Sequence, residues 1–398
     1  MSEVRASPRQ PLAMPPARFL RDYWQKRPLL VRGFAGNGIA SVSPDDLAGL
    51  ACEDAALSRI VTHDRRRDRW SVRNGPFAET DFAKLGTRDW TLLVQDVDKW
   101  DMDVAALLDR FDFIPSWRID DVMISYATDG GGVGPHVDQY DVFLVQGMGR
   151  RRWRIDDSAR SDHSFRENSE LRLLERFSPT REWLLEPGDA LYLPPGVPHE
   201  GVAVGECMTW SVGMRAPAQS ELLLDFAEFL AESLEESRRY ADPDLAPARD
   251  SGEIDAAALR RVRAAMPQFA GADDAMLASW FGRFITRYRS AQLAAAPARR
   301  PLDATELLRR LPGGTVLRNP FSRVAWSRRG RAAELFVAGD AWRCPLAFAR
   351  LVAAQREIAG ELLATASASD SALTALVDLF SLGHLQLARR RRTSSDAI

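Results

Sequence analysis

Three residues carry the strongest chemical signal in this sequence: His136 and Asp138, in GGGVGPHVDQYDVF, and His199, in PGDALYLPPGVPHEG. The chain has five histidines, and these two sit beside glycine- and proline-rich turns. In a β-strand, residues i and i+2 point to the same face. His136 and Asp138 can therefore grip one ion from one strand, while Val137 faces the opposite layer. His199 would then come from a strand that is a neighbour in space and not in sequence. Two imidazoles and a carboxylate form the facial set that suits Fe(II) and leaves positions open for oxygen and a cosubstrate. Taken alone, the H-x-D pair also reads as polar residues at a strand end. The second motif weighs against that reading. Gly188-Asp189 leads into Ala-Leu-Tyr-Leu, and Pro194-Pro195-Gly196-Val197-Pro198 delivers His199, the punctuation of two short strands joined by a tight turn.

An iron site of this kind needs an electron source, commonly 2-oxoglutarate, whose far carboxylate calls for a fixed cation. Arginine suits that task because its fork grips both oxygens. The run Arg150-Arg151-Arg152-Trp153-Arg154 opens the strand after the H-x-D motif. Alternation places Arg151, Trp153 and Ile155 on one face and Arg150, Arg152 and Arg154 on the other. The first face carries the apolar residues, so Arg151 is the inward candidate; a basic rim for an anionic partner is the alternative. Ser125, Tyr140 and Tyr192 are further candidates to line the cavity, and periodicity puts Tyr140 on the side of His136 and Asp138. The loop Gly130-Gly-Gly-Val-Gly134 lacks the Gly-Lys-Ser/Thr and the helix of a phosphate loop. It is expected instead to let the chain pass close to a bound substrate.

The elements that must position these groups follow from texture. At 398 residues, two or three domains are the prior. Apolar content of 45% and charged content of 27% fit a globular protein. A net charge of −2 supplies no global field for nucleic acid. Three scattered cysteines give no disulfide framework and no zinc cluster. The first residues lack the apolar core of a signal peptide, and no uncharged apolar run approaches the roughly 20 residues of a membrane span. A cytoplasmic protein without membrane association is expected.

The sequence reads as an α+β multidomain chain. Residues 1–90 form a lead-in packing on a barrel, with helices at 19–24 and 43–53 and a strand at 28–32. Residues 91–216 are the catalytic domain, with a strand at 90–95. Short candidate strands follow at 122–127, 137–146, 151–155, 183–185, 190–193, 201–204 and 208–214. Many short strands with Gly/Pro turns point to a double-sheet jelly roll, or double-stranded β-helix, of the cupin type. In residues 217–296, helices at 220–240, 256–266 and 275–293 carry apolar stripes. These read either as core within a domain or as a helical dimerisation region. A loop at 242–252 and a linker at 294–301 punctuate them. Residues 297–398 mix helices and strands in a winged-helix-like pattern. The basic run Arg389–Arg392 reads as a solvated tail, so direct DNA binding is not expected.

Four stretches together resemble the bacterial ribosomal oxygenases, cupin-like hydroxylases with Jumonji C (JmjC) domains. They are GGGVGPHVDQYDVF, QGMGRRRW, PGDALYLPPGVPH and SVGMRAP. The likeness extends to YWQKRPLLVR, LVQDVD and the helical and winged-helix-like tail, nearly the whole chain. The resemblance implies C3-hydroxylation of an arginine in the sixteenth large-subunit ribosomal protein, using Fe(II), 2-oxoglutarate and O2. It implies His136, Asp138 and His199 as iron ligands, Arg151 as the cosubstrate clamp, and a homodimer through the central helices. A substrate arginine requires an acidic partner at the pocket mouth, and Asp121 and Ser211 match positions that contact it in the family, with Tyr140 alongside. One departure is visible: Ala127 stands where relatives tend to have a small hydroxyl residue near the cosubstrate, and Ser125 is the substitute contact. Two other readings stay open on sequence. One is a different JmjC-type oxygenase, a lysine demethylase or small-molecule hydroxylase; the other is a non-catalytic metal-binding cupin adaptor.

Overall fold

The computed structural model describes residues 3–36, 42–158, 164–167, 170–232, 234, 256–265, 273–287 and 303–388. The chain divides into two compact units, Met1–Ala216 and Pro217–Ile398.

The first unit is built on a ten-stranded sheet. Its strands are β1 (Glu3–Arg5), β2 (Leu29–Arg32), β3 (Ser58–Asp64), β4 (Arg69–Asn74), β5 (Trp90–Val94), β6 (Ile119–Ala127), β7 (Val142–Ile155), β8 (Arg181–Leu185), β9 (Ala190–Leu193) and β10 (His199–Met214). Spatial order is β1-β2-β9-β7-β10-β6-β5-β3-β4, with β8 also paired to β7. The lead-in thus does more than pack on the barrel: it supplies β1 to β4 of the same sheet. The helix Pro44–Leu50 within it starts on a capping box, the Ser43 hydroxyl accepting from the Asp46 amide and the Asp46 carboxylate accepting from the Ser43 amide.

Two long strands replace four expected short ones. β7 runs unbroken through Gly147-Met-Gly149, and β10 through Gly205-Glu-Cys207. Gly147 and Gly149, which read as turns in the sequence, serve as close approaches. A side chain at 147 would collide with the Trp210 indole, and one at 149, where φ is +60°, with the Glu206 carbonyl. The register of β10 against β7 shifts between Val204 and Thr209, a bulge that lets one strand serve two partners. β7 pairs with β9 through Val142–Val145 and with β8 through Arg151–Ile155.

Alternation gives the sheet two apolar faces. One carries Phe143, Val145, Tyr192, Trp210 and Val212, which pack with Phe19, Phe34 and Phe111. The other carries Val142, Leu144, Trp153, Ile155, Leu191 and Leu193. Each fully buried side chain of this size contributes roughly 1.5–3 kcal/mol relative to exposure. The second face is where the polar groups considered below are set.

The second unit begins with helices Gln219–Glu232, Ala256–Ala265 and Asp274–Thr286. Phe226 and Trp280 bring the first and third together, ring centroids 4.8 Å apart, and Asp225 accepts from the Trp280 indole and from Arg287. Two three-stranded sheets follow. One joins β11 (Thr315–Arg318), β15 (Glu357–Ala359) and β16 (Leu385–Leu387); the other joins β12 (Val324–Arg329), β13 (Ala332–Val337) and β14 (Asp340–Pro345). Helices Ala304–Arg310, Leu346–Ala354, Gly360–Ala366 and Asp370–Ser381 close them over a core containing Leu307, Val316, Leu335, Phe348 and Leu376. The loop at 242–252, the linker at 294–301, Tyr288 and the run Arg389–Arg392 lie outside the described residues. Among the described residues, no helix is long and apolar enough to cross a membrane.

Candidate active site

His136 and His199 face each other across an isolated bridge at the start of β10. The amide of His136 donates to the carbonyl of His199 at 3.0 Å, and the amide of His199 donates back at 2.9 Å. The strand expected over 137–146 begins only at Val142, so Asp138 lies in the loop between the bridge and β7. Val137 is correspondingly half-buried and not a core residue. The loop is held otherwise: the Gly196 amide, in the Pro-Pro-Gly turn, donates to the Asp138 carbonyl at 2.8 Å. At Gly196 φ is +82°, a conformation that glycine adopts without cost.

The three side chains converge. Their candidate ligand atoms all lie within 4.8 Å of one another. Asp138 Oδ2 is 3.9 Å from His136 Nε2 and 3.6 Å from His199 Nε2. Each Nδ1 lies 2.9 Å from a backbone carbonyl, that of Gly134 for His136 and Val197 for His199. A carbonyl only accepts, so Nδ1 carries a proton, and in the neutral tautomer Nε2 presents its lone pair to the shared space. Burial, and then the neighbouring His136, push the His199 pKa down to about 4 against the pull of Asp138, which keeps the imidazole in its neutral, ligating form. This donor set fits a divalent iron-type ion with open positions.

Arg151 lies on the same inner face. In β7, Arg151, Trp153 and Ile155 are buried, while Arg150 and Arg152 are exposed, the alternation that the sequence suggests. Outward, Arg152 pairs with Glu182 at 3.2 Å, and Arg154 pairs with Glu200. Inward, Arg151 Nη1 donates to Ser125 Oγ at 3.0 Å and to Thr209 Oγ1 at 3.1 Å. Its Nε is buried without a hydrogen-bond partner among the described residues, as is Nε1 of Trp153. Burial depresses the Arg151 pKa, and no carboxylate is among the groups that act on it. A buried guanidinium served only by hydroxyls fits an incoming carboxylate. Ala127 is fully buried against Ala203 and Cys207 and offers no hydroxyl.

The register of β10 on β6 sets Thr209 opposite Ser125, Ser211 opposite Met123 and Gly213 opposite Asp121. Asp121, Ser125, Thr209 and Ser211 therefore share one face of the sheet, with Asp121 toward one end and Arg151 toward the other. Asp121 is buried and its Oδ2 accepts from the Asp96 amide at 3.2 Å. Tyr140 is 41% exposed, yet desolvation of its hydroxyl, followed by the charges of Asp138 and Asp121, holds its pKa well above the ordinary phenol range.

One expectation fails. Tyr192 does not line the cavity. Position 192 has the opposite parity to Leu191 and Leu193, and its ring packs on Phe19, Trp24 and Phe143 while its hydroxyl donates to Asp141 at 2.6 Å. The Gly130–Gly134 loop passes close to neighbouring strands: a side chain at 131 would strike the Trp90 carbonyl of β5, and one at 132 the Gly201 carbonyl of β10. Thr209 and Gln146, buried beside Arg151, were not singled out by the sequence, because only the strand register brings them there.

The chain is similar to characterised proteins along both units. The JmjC domain family matches residues 106–222, and the ROXA-like winged helix family matches residues 270–386. The ribosomal protein uL16 3-hydroxylase of Escherichia coli (strain K12) is 40% identical over 299 residues, 75% of this chain and 78% of that protein. The X-ray structure of E. coli ycfD superposes with a TM-score of 0.83 at 36% identity, covering 94% of this chain and 98% of that one. The structure of YcfD, a ribosomal oxygenase, in complex with cobalt and 2-oxoglutarate, gives a TM-score of 0.78 at 35% identity over the same shares. The jelly-roll core and winged-helix tail expected from the sequence are the architecture of these matches.

Proposed function

Since the chain belongs to the ribosomal oxygenases with a JmjC domain, we propose that it hydroxylates C3 of an arginine in a large-subunit ribosomal protein, uL16, with Fe(II), 2-oxoglutarate and O2. The observation that carries this reading is the placement of a two-histidine, one-carboxylate cluster and a buried, carboxylate-free arginine on the same inner face. When bound, iron and 2-oxoglutarate supply the oxidising power that places one atom of O2 into a C–H bond.

The residues divide that work. His136, Asp138 and His199 would hold the metal through two Nε2 atoms and a carboxylate oxygen. Arg151 takes the far carboxylate of the cosubstrate, and Ser125 replaces the hydroxyl that Ala127 lacks. Asp121, with Ser211 and Tyr140 nearby in the same register, receives the substrate guanidinium. Held by its charged end, the arginine presents its aliphatic carbons toward the metal, and the apolar wall of Leu144, Trp153 and Leu191 excludes water.

The same reading assigns residues 1–90 to the lead-in, 91–216 to the catalytic domain, 217–296 to a dimerisation region and 297–398 to the winged-helix-like domain. A second copy of this chain covers the exposed apolar residues of helices Gln219–Glu232 and Ala256–Ala265, and a ribosomal substrate supports a cytoplasmic location. The test is incubation of the purified chain with Fe(II), 2-oxoglutarate, O2 and the ribosomal protein, followed by peptide mass spectrometry. A one-oxygen mass increase on one arginine, with matching succinate release, is expected; its absence from every arginine overturns the assignment.

A further inference from the structure

The hydrogen bonds around Arg151 have a definite polarity. Gln146 Oε1 can only accept, so the hydroxyl proton of Thr209, 3.0 Å away, is committed to it. The Gln146 amide cannot reverse this arrangement, because its Nε2 is held by the Met148 carbonyl at 2.8 Å and lies 3.5 Å from that of Gly149. Thr209 Oγ1 is therefore an acceptor only toward Arg151. Ser125 differs. Its oxygen accepts from Arg151, and among the described residues its own proton has no acceptor.

The guanidinium is thereby divided. Both protons of Nη1 go to the two hydroxyls, while Nε is buried without a partner and Nη2 makes no hydrogen bond among the described residues. Nε and Nη2 form one edge of the planar fork, the edge that matches the two oxygens of a carboxylate.

We infer that Gln146 and Thr209 are positioning residues that turn Arg151 so that its Nε–Nη2 edge takes the far carboxylate of the 2-oxo acid, with the Ser125 hydroxyl donating a third hydrogen bond. This inference rests on the proposed function for the identity of the 2-oxo acid. The Gln146–Thr209 pair acts through Arg151 and does not touch the carboxylate. Loss of the threonine hydroxyl leaves an Nη1 proton buried and unpaired, and the fork rotates to satisfy it, spoiling the side-on edge. Loss of the glutamine acceptor frees the threonine proton, which then opposes Nη1. A pure packing role for either residue would not discriminate between ligands with and without the far carboxylate.

The experiment measures binding of 2-oxoglutarate and of pyruvate, which has the chelating end alone, to the full chain loaded with Mn(II), by calorimetry without oxygen. The wild-type chain is expected to prefer 2-oxoglutarate strongly. Thr209→Val and Gln146→Leu each lower 2-oxoglutarate affinity about 10-fold, the effect of one hydrogen bond to a charged group, and leave pyruvate binding as in the wild type. Thr209→Ser restores the preference. Unchanged 2-oxoglutarate affinity in both variants, an equal loss for both ligands, or failure of Thr209→Ser to restore it overturns the positioning role. A wild-type chain that binds the two ligands alike overturns the cosubstrate reading itself, a result distinguishable because it needs no variant.

Discussion

His136 and His199 exchange both backbone hydrogen bonds, at 3.0 and 2.9 Å, and their ring centroids stand 4.2 Å apart. The pairing fixes two imidazoles side by side before any third ligand is added. With both Nδ1 atoms donating to carbonyls, the two Nε2 lone pairs point at one volume. Asp138 completes the cluster from a loop tied to the Gly196 turn, so the carboxylate is the one member of the cluster outside the bridge.

Asp138→Ala is accordingly expected to abolish turnover through lost iron while leaving the bridge intact. Two imidazoles without a carboxylate hold Fe(II) poorly. Iron content after gel filtration and succinate release are the measurements. Substantial iron-dependent hydroxylation surviving in Asp138→Ala would falsify the ligand set.

Arg151→Lys keeps the charge and discards the fork. A lysine ammonium cannot serve two hydroxyls and still present a two-donor edge. The KM for 2-oxoglutarate is expected to rise about 10-fold or more, since a hydrogen bond to a charged group is worth roughly 1.5–3 kcal/mol. Steady-state kinetics in 2-oxoglutarate decide it, and an unchanged KM would remove Arg151 from the cosubstrate pocket.

Local rules reached some of this site and missed the rest for identifiable reasons. Arg151 was legible because a strand alternates, and its neighbours Trp153 and Ile155 show which face is inward. The H-x-D pair was legible by residue type, although the strand invoked to align it is absent and the bridge to His199 does the work. Gly147 and Gly149 look like strand ends in the sequence, because a sequence does not distinguish a turn glycine from one pressed against an indole or a carbonyl. The motif makes Tyr192 a candidate to line the cavity, although Leu191 and Leu193 take the inner face and leave it the outer. Thr209 and Gln146 depend on the register between β6, β7 and β10, which is set by long-range pairing and bulges.

The helix Gln219–Glu232 leaves Leu223 and Leu224 59% and 72% exposed, and Leu259 and Val262 in the next helix are also exposed. If a second copy covers them, Leu223→Glu with Leu224→Glu removes apolar contacts worth roughly 1.5–3 kcal/mol for each side chain and buries charge in their place. Sedimentation velocity is expected to show a dimer for the wild-type chain and a monomer for the double variant. A wild-type monomer, or a double variant that sediments as a dimer, counts against the proposed interface.

His384 gives the C-terminal unit a pH dependence of its own. It is buried, with Nδ1 2.8 Å from Ser322 Oγ, and burial depresses its pKa below the ordinary 6.5, opposed by Asp340. The neutral ring is the form the fold accepts. A depressed folded-state value means that its stabilisation is complete above about 6.5, the unfolded value, and is lost as pH falls through the lower folded value. Thermal unfolding of the C-terminal unit should therefore shift to lower temperature on acidification, one proton steepening the dependence by at most about 1.4 kcal/mol per pH unit. His384→Gln lowers stability near neutrality, because the Ser322 contact is disturbed, and flattens this part of the acid slope. An acid slope identical in the wild-type and His384→Gln chains would assign the titration to other groups.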